Sequence, residues 1–233
     1  MIKITGATPP ETIRDILIAS VGGQGGILTA RILADGFRRQ GWQVKTSEVH
    51  GMAQRGGSVE THVRRGSQVH SPLIPRGEAD VLLALEQLEG LRYLPWLRPG
   101  GLAVVSSERI APVSVTLGGA AYPADGEAAL LAAQGAGHGP GCIVLVDALA
   151  IATEAGHPRT SNVALVGTLS LFLDGLTSAD ASQGTGVPGE PALNDNAALW
   201  EEVIAADVPP RAREANLKAF RLARELVLSS VGR

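Results

Sequence analysis

One stretch constrains this chain more than any other: Arg14 to Phe37, RDILIASVGGQGGILTARILADGF. A short apolar run, Arg14 to Ser20, stops at the glycines of VGGQGG, and Ile27, Ala30, Leu33 and Phe37 then recur at helical spacing. An unbroken apolar run suits a buried strand, and a repeat of three to four suits a helix with one buried face. The stretch therefore reads as strand, glycine turn, helix. Trp42 to Val49 (WQVKTSEV) reads as a second strand, with Gly41 closing the helix before it. A β-α-β unit of this kind needs a sheet to belong to.

The rest of the chain supplies that sheet. Ser58 to Arg64 alternates, placing Val59, Thr61 and Val63 on one face and Glu60, His62 and Arg64 on the other, so one face is expected to be wet. Asp80 to Leu85 and Gly101 to Ser106 are apolar runs flanking a helical segment, Glu86 to Leu94, as parallel strands with a crossover would be. Val113 to Leu117 and Cys142 to Val146 predict two more short strands, with a helix from Glu127 to Gln134 between them. Asp147 to Ala155, Thr160 to Leu173, Asn194 to Ala206 and Arg211 to Ser230 predict helices. The last carries a stripe of Ala215, Ala219, Leu222 and Leu226, with Glu214/Lys218 and Arg221/Glu225 as i,i+4 pairs, and is expected on the outside of the sheet. The predicted fold is α/β: a Rossmann-like, mostly parallel open sheet flanked by helices, with a helical C-terminal part, in a single domain over residues 1–233. Thr177 to Pro191 has almost nothing to bury and is expected to be a mobile surface loop. Gly135 to Gly141 (GAGHGPG) has similar character.

Composition narrows the function. Twenty basic against twenty-three acidic residues among 233 give no basic surface for nucleic acid or an anionic membrane, so the expected partners are small molecules or proteins. Cys142 is the only cysteine, which excludes an internal disulfide, a four-cysteine zinc site and an iron–sulfur cluster held by this chain alone. The N-terminus lacks the apolar core of a signal peptide. The longest apolar stretch, near Val163 to Leu173, falls short of the roughly 20 residues that span a bilayer, so a soluble, cytoplasmic protein is expected. Eight aromatic residues against 29 glycines predict an aliphatic core in which backbones approach closely.

Two segments could carry chemistry. Gly22, Gly23, Gln24, Gly25 and Gly26 lie between strand and helix, where free amides and the helix dipole favour a phosphate or carboxylate; a purely structural tight turn is the competing reading. Ser20 stands where a dinucleotide fingerprint has its first glycine, and Glu48 could stand for that fingerprint's ribose carboxylate, although strands commonly end in an acidic residue. The second segment is Ser47 to Ser58, SEVHGMAQRGGS. Glu48 and His50, two apart on an extended strand, share a face, and Gln54 and Arg55 bring an amide and a cation to the turn that follows. Together with Gly56, Gly57 and Ser58 they suit a polar ligand or a subunit contact. The plainer alternative is a structural Glu48–Arg55 ion pair. Both segments follow strands of one β-α-β unit, so they are expected side by side at the carboxyl edge of the sheet. His50, His62 and His70 lack metal-ligand spacing, Cys142 reads as a buried small hydrophobe, and there is no nucleophile elbow.

GGQGG, then KTSEVHGMAQRGGSVETHVR, then HSPLIPRGEADVLLALEQLEGLRYL, with Asp147-Ala148, Asn162 to Gly167 and the tail Asn216 to Phe220, carry a resemblance covering most of Asp15 to Leu226. The chain resembles the γ-type domain of the 2-oxoacid:ferredoxin oxidoreductases, most closely the β-subunit group of the indolepyruvate enzymes. The resemblance implies a small subunit that carries no cofactor alone and assembles with a large partner holding thiamine diphosphate and [4Fe–4S] clusters. Such a complex oxidatively decarboxylates an arylpyruvate to its acyl-CoA and reduces ferredoxin. It also implies that Glu48, His50 and Arg55 approach the partner's active site, and that the isolated chain is inactive. A contact between two copies is expected too, since symmetric pairing is the commonest closed assembly. The contrasting expectation is a stand-alone nucleotide- or anion-binding regulatory module.

Overall fold

A computed structural model describes residues 1–6, 10, 12–51, 56–116, 118, 121–134, 139–175 and 196–231. Seven strands among them form one sheet: β1 (Ile2–Gly6), β2 (Asp15–Val21), β3 (Gln43–His50), β4 (Ser58–Gly66), β5 (Ala79–Ala84), β6 (Leu97–Ser106) and β7 (Cys142–Val146). Their order is β1-β7-β6-β5-β2-β4-β3. β2, β5, β6 and β7 pair in parallel, whereas β1 is antiparallel to β7 and β4 is antiparallel to both β2 and β3. Five strands therefore run in one direction, as expected, although only three of the six pairings are parallel.

The opening β-α-β unit is split. Its helix, α1 (Gly26–Arg39), joins β2 to a strand of the same direction, but β4 lies between the two. The side chains explain the order. Val59, Thr61 and Val63 of β4 are buried, whereas β3 is exposed at most of its positions and suits an edge. The other face of β4 is not wet: His62 is 3% exposed, and its Nδ1 accepts a 3.2 Å hydrogen bond from the backbone N–H of Ile74. The chain after β4 folds back over that face, which alternation alone does not reveal.

Helices cover both faces. On one side lie α1, α5 (Ala148–Glu154) and α6 (Ser161–Leu173), with α7 (Ala197–Asp207) and α8 (Arg213–Val231) behind them. On the other lie α2 (Gln87–Tyr93) and α4 (Gly126–Ala133). α6 is buried from Asn162 to Phe172 and packs against α8; a Cβ on Gly167 would stand 2.5 Å from the Phe220 carbonyl, so the two backbones meet because that residue has no side chain. α8 is therefore a second layer over α6 and touches the sheet chiefly at β1. Its expected i,i+4 pairs give way to tertiary partners: Arg221 binds Glu201 of α7, and Lys218 Nζ donates to the Glu154 carbonyl.

Two further differences concern short elements. Val113–Thr116 forms a single helical turn, α3, and not the expected strand, because the Pro112 carbonyl accepts from Val115 and Thr116 before any strand partner is reached. Ile2–Gly6, which has no strong strand signature, becomes β1 by pairing with β7. The expected loop Thr177 to Pro191, most of Gly135 to Gly141, and Gln54 and Arg55 lie outside the described residues.

Candidate functional site

β2, β3, β5, β6 and β7 all end at one edge of the sheet, where the two glycine-rich segments meet. The Gly22 amide donates to the Gly57 carbonyl at 2.8 Å, and the Gly56 amide returns a 3.2 Å bond to the Gly22 carbonyl. The loop after β2 is thus laced to the turn that opens β4. Gly25, at φ 89°, forms the N-cap of α1 with no side-chain cap, which leaves the first amides of the helix without intrahelical acceptors. A side chain at Gly25 would also strike the buried Asn162, whose Nδ2 donates to the Gly25 carbonyl at 3.3 Å. Ser20 sits within β2 and outside the turn, and its Oγ lies 2.7 Å from where a Cβ on Gly26 would stand. The serine is accommodated because the residue it faces is glycine.

Gln24 is consumed by structure. Its Oε1 accepts from the Val21 amide at 2.8 Å, and its Nε2 donates to the Leu85 carbonyl at 3.0 Å and toward Glu108 at 3.4 Å. It braces the loop, and its side-chain amide is spent on the protein's own groups. Glu48 and His50 do share a face, with His50 Nε2 3.9 Å from Glu48 Oε1. Glu48 lines a hollow of about 260 Å3 between α1 and β3 together with Ile27, Arg31, Arg38 and Thr61. Thr61 Oγ1 is buried there with no hydrogen-bond partner among the described residues.

Sequence reasoning missed a layer of carboxylates beneath these loops. Glu86, 1% exposed, follows β5 and caps α2 by accepting from the Glu89 amide at 2.8 Å, while its other oxygen accepts from the Ile110 amide at 3.0 Å and from the Tyr122 hydroxyl. The buried Glu89 accepts from Ser58 Oγ and from Arg92 at 2.8 Å, and the Tyr93 hydroxyl lies 3.3 Å from the same Ser58 Oγ. Ser58 is therefore tied to α2, and not free for a ligand. Glu108 follows β6, and burial holds its carboxyl above the ordinary value, the Gln24 amide opposing that shift. The only sequence signal for this layer is that each acid directly or closely follows an apolar run.

Other candidates resolve simply. Cys142 is fully buried in β7, and burial pushes its thiol up to about 11. Burial lowers the His62 imidazole, which Glu60 partly offsets. Among the described residues there is no group of three or more His, Cys, Asp or Glu placed to hold a metal, and no helix long and apolar enough to cross a membrane.

An uncapped helix start and two glycine segments bonded to each other at the carboxyl edge of the sheet define an α/β protein of the open-sheet class. The chain belongs to the pyruvate ferredoxin/flavodoxin oxidoreductase family, whose sequence profile matches residues 15–226. It is 38% identical over 208 residues to an indolepyruvate oxidoreductase subunit, IorB, of Thermococcus kodakarensis, which covers 89% of this chain and 93% of that protein. The fold is similar to the γ subunit of a keto/oxoacid ferredoxin oxidoreductase from Geobacter sulfurreducens, with a TM-score of 0.58 and 22% identity over 93% of this chain and 99% of that one. It is also similar to part of the 2-oxoglutarate:ferredoxin oxidoreductase of Magnetococcus marinus, with a TM-score of 0.60 and 18% identity over 97% of this chain but 32% of that one.

Proposed function

We propose that this chain, as one domain, is the small subunit of a cytoplasmic indolepyruvate (arylpyruvate):ferredoxin oxidoreductase, and that its two laced loops close the active site of a large partner subunit. The observation that carries this reading is the pairing of Gly22 with Gly56 and Gly57, which presents the open start of α1 and the end of β3 as one surface. Ile27 and Val49, 59% and 42% exposed, stand beside that surface, as the rim of a protein contact requires.

The partner's thiamine diphosphate would supply the carbanion sink for decarboxylation, its [4Fe–4S] clusters would pass electrons to ferredoxin, and CoA would take the acyl group. This chain's single, buried cysteine does not fit a cluster. Its α1 amides suit a phosphate, since the helix starts without a side-chain cap and Gly23 leaves open space before it, and the sequence puts Arg55 in the segment between β3 and β4. Glu48 and His50 orient polar groups at the same rim. The braced Gln24 and the acids beneath keep the loops in place.

In a complex reconstituted with its large subunit, Arg55→Ala and Glu48→Gln should each lower the rate of indolepyruvate oxidation about tenfold, near 1.4 kcal/mol for a lost polar contact. Both variants should remain folded and assembled. The chain alone should be colourless and inactive. Full activity in both variants overturns the placement of the loops, and failure to co-purify with a thiamine-binding, iron-containing subunit favours a stand-alone anion-binding module.

A further inference from the structure

The opposite edge of the sheet, where β2 and β3 begin and β4 ends, holds a cavity of about 440 Å3 whose wall includes Arg14, Asp15, Trp42, Arg64, Arg65 and His70. That volume lies within the roughly 300–1,000 Å3 of small-molecule sites. The charges in it do not cancel. Arg64 is spoken for: its Nε and Nη2 each donate to Asp15 at 2.9 Å, and Nη1 donates to the Leu73 carbonyl at 2.9 Å. Arg65 and Arg14 have no carboxylate within ion-pair distance among the described residues.

Arg65 is held firmly but only by neutral groups. Its Nε donates to the Ile13 carbonyl at 2.7 Å and its Nη1 to Gln40 at 3.3 Å, while its flat face lies 4.3 Å from the Phe37 ring centre and 5.5 Å from that of Trp42. Burial lowers its pKa, which only the more distant Asp80 and Asp174 oppose. Arg14 is its neighbour across the strands, the Arg65 amide donating to the Arg14 carbonyl at 2.9 Å. Like charges placed side by side on neighbouring strands repel unless something stands between them. The end of α1 beside Phe37 gives Arg65 some favourable dipole, but it does not account for Arg14.

We propose that this cavity binds a small phosphorylated ligand, its phosphate between Arg14 and Arg65 and its flat organic part against the indole of Trp42. A doubly charged oxyanion suits the pair, because Arg14 offers parallel N–H donors and Arg65, with Nε and Nη1 engaged, still has Nη2 to donate. The volume exceeds what a bare phosphate needs, and Trp42, 42% exposed, offers a surface on which a nucleobase can stack. The site lies at the far edge from the glycine loops and does not depend on the function proposed above.

Calorimetric titration of the full chain with ADP and with inorganic pyrophosphate tests it. Both should bind saturably in the micromolar range. Arg14→Ala should weaken both about tenfold or more, and Trp42→Ala should weaken ADP while sparing pyrophosphate. Arg211→Ala, on an exposed arginine elsewhere, should change neither. Thermal melts establish that the variants are folded, and Arg14→Lys, which keeps the charge, should retain part of the affinity. Binding of neither ligand up to millimolar concentration overturns the proposal. So does binding that Arg14→Ala and Trp42→Ala leave unchanged, which would place the ligand at the glycine loops or elsewhere.

Discussion

The two ends of the sheet solve opposite electrostatic problems. At the carboxyl end the helix start supplies positive potential through backbone amides, and the buried side chains are acids: Glu86, Glu89 and the partly buried Glu108. At the amino end charge comes from side chains, with Arg14, Arg64 and Arg65 gathered round one cavity. The carboxyl end is built from glycine and hydrogen bonds that hold its shape, while the amino end is built from long side chains that hold charge. Precision of the backbone is therefore expected to matter most where the loops are laced, and charge most where the arginines meet.

The largest effect is expected at Gly25. Gly25→Val places a β-branched residue at φ 89° and drives its Cβ toward Asn162, so a loss of about 3 kcal/mol or more and no measurable activity in the assembled complex are expected. A variant with a wild-type melt and rate would show that the loop's shape is not what matters there.

Next come the acids against the arginines. Glu86→Ala leaves the Glu89 and Ile110 amides and the Tyr122 hydroxyl without their acceptor in a buried place, which should cost about 3 kcal/mol in chemical denaturation. Arg64→Ala at the other end removes a two-pronged bond to Asp15 from a partly exposed position, and should cost only about 1 kcal/mol. Equal losses would erase the distinction between a buried frame and a solvated charge cluster.

The smallest effect sharpens the carboxyl end alone. Because the Glu108 carboxyl is held above its ordinary value, the folded state binds its proton more tightly than the unfolded state does. Stability carried by that proton is full below the ordinary value and declines as pH rises from there through the folded value. Glu108→Gln removes the decline, so melting temperatures of wild type and variant should diverge as pH is raised from about 4.5 toward neutrality, the variant being the more stable. Parallel curves would place Glu108 in ordinary solvent.

Local periodicity made β2, α1, β5, β7 and α6 legible in the sequence, because a strand or helix that buries one face or all of itself must repeat its apolar residues at its own period. It also made the meeting of the two glycine segments legible, since strands that run the same way carry their following loops to the same edge. The insertion of β4 between β2 and β3 was not legible, as strand order depends on which exposed edge a later segment finds to cover. Nor was the occupation of Gln24 by Val21, Leu85 and Glu108, whose partners come from separate parts of the chain. The same holds for the amino-end cavity. Residues 14, 42 and 65 are far apart in sequence and share no motif, and only the pairing of β2 with β4, and the closure of α1 against them, brings their charges and ring together. Local pattern determines which elements form, whereas the side chains that face one another are chosen by packing between elements, which no single window of the sequence contains.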